Sequence, residues 1–212
     1  MRVPARLSRR WAPTIIALAL AGCGGLFGGS SPAQLYRVTP VHTFPPGLPH
    51  LPVQVLIDEP LAPAGLDTTR IALSRSAVSI EYFADSEWTD RVPLMVQTAL
   101  LESFEDSKAL SAINRESLGL HADFILKTEI RHFEALYDSP NQAPAAWVAI
   151  ITRLVNPSGR DIVYQASFER RVRAETNDVP QIVPAFQEAL EGVMEEIVVW
   201  TAGNPALSPK TR

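Results

Sequence analysis

The chain has 212 residues, 46% of them hydrophobic, and a formal charge of −4. That much apolar material supports one buried core, while the acidic balance excludes a nucleic-acid binder, which needs a basic footprint. A single cysteine, Cys23, excludes any disulfide within one chain.

The first segment in chain order reads as an export signal. Arg2, Arg6, Arg9 and Arg10 precede an apolar run from Trp11 to Ala21, and no acidic residue stands among them. The run holds about eleven residues where a membrane-crossing helix needs about twenty, so it fits a signal that is cut off. Trp11, Ala12 and Pro13 do not continue Arg9 and Arg10 into a twin-arginine pattern, which leaves ordinary secretion. Leu20-Ala21-Gly22-Cys23 resembles the lipobox recognised in bacterial lipoprotein maturation. The resemblance implies cleavage between Gly22 and Cys23, diacylglycerol on the Cys23 thiol and an N-acyl chain on the new amino group. Several acyl chains hold a protein on a membrane where a single one binds marginally. No other cofactor and no metal is expected.

Residues 1–22 are thus expected to be a signal peptide. Removing their four arginines leaves 190 residues with 15 basic groups against 23 acidic ones, a formal charge of −8. Gly24, Gly25, Gly28, Gly29, Ser30 and Ser31 give residues 23–33 the composition of a flexible lipidated tether. A single domain is expected over 34–203, with 204–212 as a disordered polar tail.

Within that domain Gln34–Val38 reads as a short strand, and the Pro-rich stretch Pro40–Pro52 as irregular chain. Val53, Val55 and Ile57 alternate as a half-buried strand does, ending at Pro60 and Pro63. Arg70–Ser74 and Ser79–Phe83 are two further short strands, loosely a meander. The period then changes: Val92, Met95, Val96, Ala99, Leu100 and Phe104 form one helical stripe, with Asp90 as its expected cap and Pro93 in the first turn. Ala122, Phe124, Leu126 and Ile130 alternate with Asp123, Lys127, Glu129 and Arg131, which predicts a long strand with one wet face. Ala146–Val155 is apolar on both faces, as a central strand is, and Asn156-Pro157-Ser158-Gly159 supplies a turn. The return strand puts Ile162, Tyr164, Ala166 and Phe168 inward. Ile182, Phe186, Leu190, Val193, Ile197 and Trp200 make the stripe of a last helix. Strands and helices are grouped, which predicts an α+β fold: a mostly antiparallel sheet with two helices packed on one face.

The lipobox, the Leu35-Tyr36 strand, the run Ala84-Asp85-Ser86-Glu87-Trp88-Thr89-Asp90-Arg91-Val92-Pro93 leading into a helix, Ala122–Leu126 and His132–Ala135 together resemble the auxiliary lipoproteins of ABC-type transport systems. The resemblance spans roughly 34–202 and rests on element order and on Trp88, which by itself reads as a staple at the helix entry. It implies a partner complex of an MCE-family protein with an ABC permease and ATPase, lipid transport across a Gram-negative envelope, and contact with the membrane through the anchor. Self-association stays open. Gly24 follows the cysteine where an inner-membrane retention signal carries aspartate, so the resemblance implies the periplasmic face of the outer membrane.

No residue pattern points to catalysis. His42, His50, His121 and His132 lack partners at metal-ligand spacing, and neither a G-x-S-x-G elbow nor a P-loop occurs. Asp85, Glu87 and Asp90, and likewise Glu195 and Glu196, read as solvated groups before they read as acid clusters. Arg170, Arg171 and Arg173 suit a binding edge for anionic head groups or a partner, or a charged strand that resists edge pairing. The expected role is therefore a non-enzymatic transport component; alternatives are a structural or assembly lipoprotein of another outer-membrane machine and, third, a hydrolase.

Overall fold

The computed structural model describes residues 32–139 and 141–207. The expected signal peptide, cleavage site and most of the tether, including Gly22 and Cys23, lie outside the described residues.

The elements follow in order: β1 (Gln34–Tyr36), β2 (Leu51–Ile57), β3 (Arg70–Ser76), β4 (Ser79–Trp88), α1 (Val92–Ser107), β5 (Leu110–Arg115), β6 (Phe124–Leu136), β7 (Ala145–Asn156), β8 (Asp161–Arg173) and α2 (Val179–Ala202). They build an α+β fold of two helices on one eight-stranded sheet, mostly antiparallel with some parallel pairing. The longest ladders, β6 with β7 and β7 with β8, are antiparallel. On its other edge β6 is shared: β2 runs parallel to its first part, Val55 opposite Phe124, and β3 parallel to its last part, Ala72 opposite Glu134. Leu61 bridges the interval at Glu129. β3 and β4 form the expected antiparallel hairpin. β2, however, pairs with β5 and β6 rather than with that hairpin. Pro60 and Pro63 carry the chain away from the sheet before β3 begins.

β6 changes face part-way. Leu126, Thr128 and Ile130 are buried, and then Phe133 and Ala135 are. A bulge between Ile130 and His132 explains the shift, because one extra residue, Arg131, exchanges the two faces of everything after it. Leu126, Ile130 and Phe133 therefore share the helix side with Val148, Ile150 and Leu154 of β7, all at most 1% exposed. Against them lie Val96, Leu100 and Phe104 of α1 and Ile182, Phe186, Leu190, Val193 and Ile197 of α2.

Several expectations change. Trp88 is the last residue of β4 and only 1% exposed. Its ring meets Phe133 at 5.6 Å and Phe186 at 5.4 Å, both edge to face, so it packs at the centre of the core against β6 and α2. Asp90 does not cap α1: its Oδ1 accepts from the Arg91 N–H at 2.7 Å, Arg91 holds the cap position, and Pro93 needs no cap bond of its own. β5, which no alternation announced, continues directly from the left-handed Lys108 that closes α1. Ile162 and Tyr164 stay exposed, because β8 is an edge strand and α2 covers only part of it. Asn204–Leu207 is no free tail: Leu207 is buried, and its N–H reaches the Asn204 carbonyl at 3.1 Å. The irregular stretch after β1 is tied down as well, since the Val41 N–H donates to Ser103 Oγ at 2.9 Å and Gln187 holds the backbone of Thr39.

Candidate functional site

The side of the β6–β7–β8 ladder that faces away from the helices is held by charge and aromatic stacking. Register sets Lys127, Glu129, His132 and Glu134 of β6, Trp147 and Arg153 of β7, and Gln165, Glu169 and Arg171 of β8 on this one face. Trp147 is its centre. The His132 ring stacks on one side at 3.3 Å, and the Arg171 guanidinium lies over the ring at 4.0 Å. Trp147 Nε1 donates to Glu169 at 2.9 Å, and Glu169 also accepts from Arg171. His132 Nδ1 lies 2.8 Å from Glu134, a carboxylate only 8% exposed that also accepts from the Phe133 N–H. Such stacks each contribute about 0.5–1.5 kcal/mol, which orients side chains more than it holds a fold.

Lower on the same side Arg153 joins Glu129 and Gln165, and Lys127 spans Asp58 at 2.6 Å and Glu116 at 3.4 Å. The hydrogen bond to Asp58 holds the Lys127 ammonium above its ordinary value against partial desolvation. A raised lysine value means that, wherever Asp58 is ionised, the lysine's contribution is fully present below pH 10.5 and is lost as pH rises through the folded value. Asp58 and Glu116 open onto a cleft of about 490 Å³ between the start of α1 and the end of β5, also lined by Glu59, Asp90, Gln97 and Arg115. Arg91 at its rim donates to Asp67 and Glu59, and Asp67 above all holds the guanidinium above its ordinary range.

The acidic and basic runs noted in the sequence separate in space or find local partners. Glu87 accepts from Thr69, Asp90 accepts from the Arg91 backbone, and exposed Asp85 takes a left-handed backbone conformation within β4. Glu196 pairs with Arg170, Arg171 with Glu169 at 3.0 Å, and Arg173 with Asp138 at 2.9 Å. Arg170 and Arg171 point to opposite faces of β8, so the three arginines form no single anion patch. His42 pairs with Asp106, and His50 lies against the Lys108 carbonyl. Among the described residues, no three or more His, Cys, Asp or Glu side chains gather at metal-binding spacing. The Trp147 stack was not read from sequence, because its members come from three strands whose register the bulge decides.

A family model for the ABC-type transport auxiliary lipoprotein component matches residues 34–198, from β1 almost to the end of α2. The chain belongs to this family. The family description, an auxiliary lipoprotein component, is compatible with the periplasmic envelope. A protein of Bradyrhizobium diazoefficiens is 29% identical over 184 residues, which is 86% of this chain. The chain spans 49% of that relative's length. The crystal structure of a Xanthomonas campestris protein superposes with a TM-score of 0.75 at 26% identity, covering 80% of this chain and 95% of the other. A further crystal structure, at 11% identity and a TM-score of 0.62, covers 79% of this chain and 97% of its own and shares the fold. No helix among the described residues is long and apolar enough to cross a membrane.

Proposed function

We propose that the protein is a lipid-anchored, non-enzymatic component of an MCE-type lipid transport system in a Gram-negative envelope. Cleavage between Gly22 and Cys23, diacylglycerol on the Cys23 thiol and an N-acyl chain hold it at the periplasmic face of the outer membrane. The observation that carries this reading is the family match beginning at residue 34, eleven residues after the cysteine of Leu20-Ala21-Gly22-Cys23. A Gly- and Ser-rich stretch of that length reaches some tens of ångströms when extended. The domain then stays near the membrane and meets the MCE protein of the permease and ATPase complex at raised effective concentration, so a modest interface suffices. The acidic mature chain and the polar, ion-paired sheet face suit a protein that recognises another protein.

Three experiments test this in sequence. Palmitate labelling should mark the wild-type chain and not Cys23→Ala, and equal labelling of both would remove the anchor from the reading. Sucrose-gradient fractionation should place the wild type with outer-membrane markers. Deletion of the gene should then reproduce loss of the transporter, with detergent sensitivity or altered outer-membrane lipid. An intact barrier in the deletion strain, beside a leaky transporter mutant, would sink the transport reading in favour of an assembly role in another outer-membrane machine.

A further inference from the structure

β8 pairs only with β7, so its outer row of backbone N–H and C=O groups has no strand partner among the described residues. Open edges are templates for another strand, and proteins usually blunt them with charge, proline, bulges or shortness. The other open edges are short or charged: β1 has three residues, β5 has six, and the part of β4 that β1 leaves uncovered, Ser79–Asp85, carries Glu81 and Asp85. β8 has thirteen, and its two halves differ. Glu169, Arg170, Arg171 and Arg173 charge its end, whereas the run Ile162-Val163-Tyr164-Gln165-Ala166-Ser167-Phe168 holds no charged residue and no proline. A bulge at Val163 turns Ile162 aside and leaves Tyr164–Phe168 regular. In that stretch Tyr164, Ala166 and Phe168 face the helix side, where Phe168 meets Trp200 of α2 edge to face at 5.9 Å. Gln165 and Ser167 face the open side, and Tyr164 is 41% exposed.

We propose that Tyr164–Phe168 receives an extended segment of a partner protein as an added strand at this edge. The segment is uncharged and alternates in character, with apolar side chains over Tyr164, Phe168 and Trp200 and polar ones beside Gln165 and Ser167. A charged segment loses hydration there and gains no counter-charge from this half of the strand. A second copy of the chain fits less well: centred on Ala166, self-pairing sets Tyr164 opposite Phe168 and Gln165 opposite Ser167, but beyond those five residues the bulge puts Ile162 against Arg170 with their side chains on opposite faces. Antiparallel self-pairing centred on Gln165 sets Asp161 against Glu169 and Arg160 against Arg170, like charges both times. Centred on Ser167, it sets Ile162 opposite Val172, and the bulge has put those two side chains on opposite faces. The inference goes beyond the transport reading and holds for whichever complex the protein serves.

The test uses the full-length chain in living cells, with a photo-crosslinking phenylalanine analogue at Gln165 or at Ser167, both exposed. Peptides crosslinked to each position are then mapped by mass spectrometry. Both should lie in one uncharged segment of one other protein, at sites about two residues apart, the strand repeat. With the analogue at Tyr164, the double variant Gln165→Lys/Ser167→Lys should lose the crosslink about tenfold or more. Its thermal midpoint should stay within about 2 °C of the parent, as for a surface change. Should that variant fold poorly, Ser167→Lys alone gives the same reading. Crosslinks to a second copy overturn the occupant named here. No crosslink, crosslinks scattered over helices or lipid, or full crosslinking in a folded lysine variant overturns strand addition itself. A strand-patterned segment from a protein outside that MCE and ABC transport system leaves this inference standing and removes the transport reading.

Discussion

The two faces of the β6–β7–β8 ladder are built from the same backbone and do different things. On the helix side Leu126, Ile130, Phe133, Val148, Ile150 and Leu154 vanish beneath α1 and α2. On the open side Glu129, His132, Trp147, Arg153, Glu169 and Arg171 are held by one another and by polar neighbours such as Glu134 and Gln165. Burial of a large apolar side chain is worth about 1.5–3 kcal/mol, whereas a part-exposed ion pair is worth about 0–1. Stability therefore belongs to the covered face. The open face is free to vary in chemistry at little cost to the fold, which makes it and the adjoining β8 edge the places where recognition can be written.

Substitutions on the two faces should separate by size, read as chemical denaturation of the chain from Gly24 onward. The largest effect is expected for Phe186→Ala, which removes a fully buried ring that touches both Trp88 and Phe133. It should destabilise by about 3–5 kcal/mol; a loss below about 1 would mean that α2 is peripheral to the core. On the open face Trp147→Ala abolishes the contacts with His132, Arg171 and Glu169 together, and about 1–2 kcal/mol should be lost. A loss as large as that of Phe186→Ala would break the contrast between the faces.

Thr152 sharpens the comparison from the covered side. Its hydroxyl is buried without a partner, directly across from Thr128, whose hydroxyl is likewise unpaired. Thr152→Val keeps the shape and removes an unsatisfied polar group, so the protein should gain about 1 kcal/mol. Destabilisation of similar size would show that the two hydroxyls serve each other or a buried water. The smallest effect belongs to Glu129→Gln. Arg153 keeps its bond to Gln165, and about 0.5 kcal/mol or less should be lost, shrinking further in high salt.

β6 shows most clearly how far the residues alone could be read. The alternation from Phe124 to Ile130 named the buried face correctly, because period two is a local property of a strand. After Arg131 the buried set changes parity, and nothing in the local pattern marks Arg131 as the extra residue, since a bulge is defined by the partner strand. The Trp147 stack was hidden for the same reason. The stripe of α2 was legible from Ile182 to Ile197, a single helix face with all those positions at 0% exposure, while Trp200, read as its last member, is only partly buried. β5 escaped notice because its sequence, Leu-Ser-Ala-Ile-Asn-Arg, carries little apolar alternation and owes its strand form to parallel pairing with β2.

The amino-acid sequence alone thus determined the α+β class, the helices and most of the strands, because hydrophobic period and turn chemistry act within a few residues. It also carried the family resemblance, since element order is written along the chain. Tertiary structure alone decided that β2 pairs with β5 and β6 in parallel, that Trp88 lies at the centre of the core, and that β8 is left as an edge with an uncharged half. These depend on which distant segments share hydrogen bonds and which face a helix covers, and such choices are fixed only when the whole core closes.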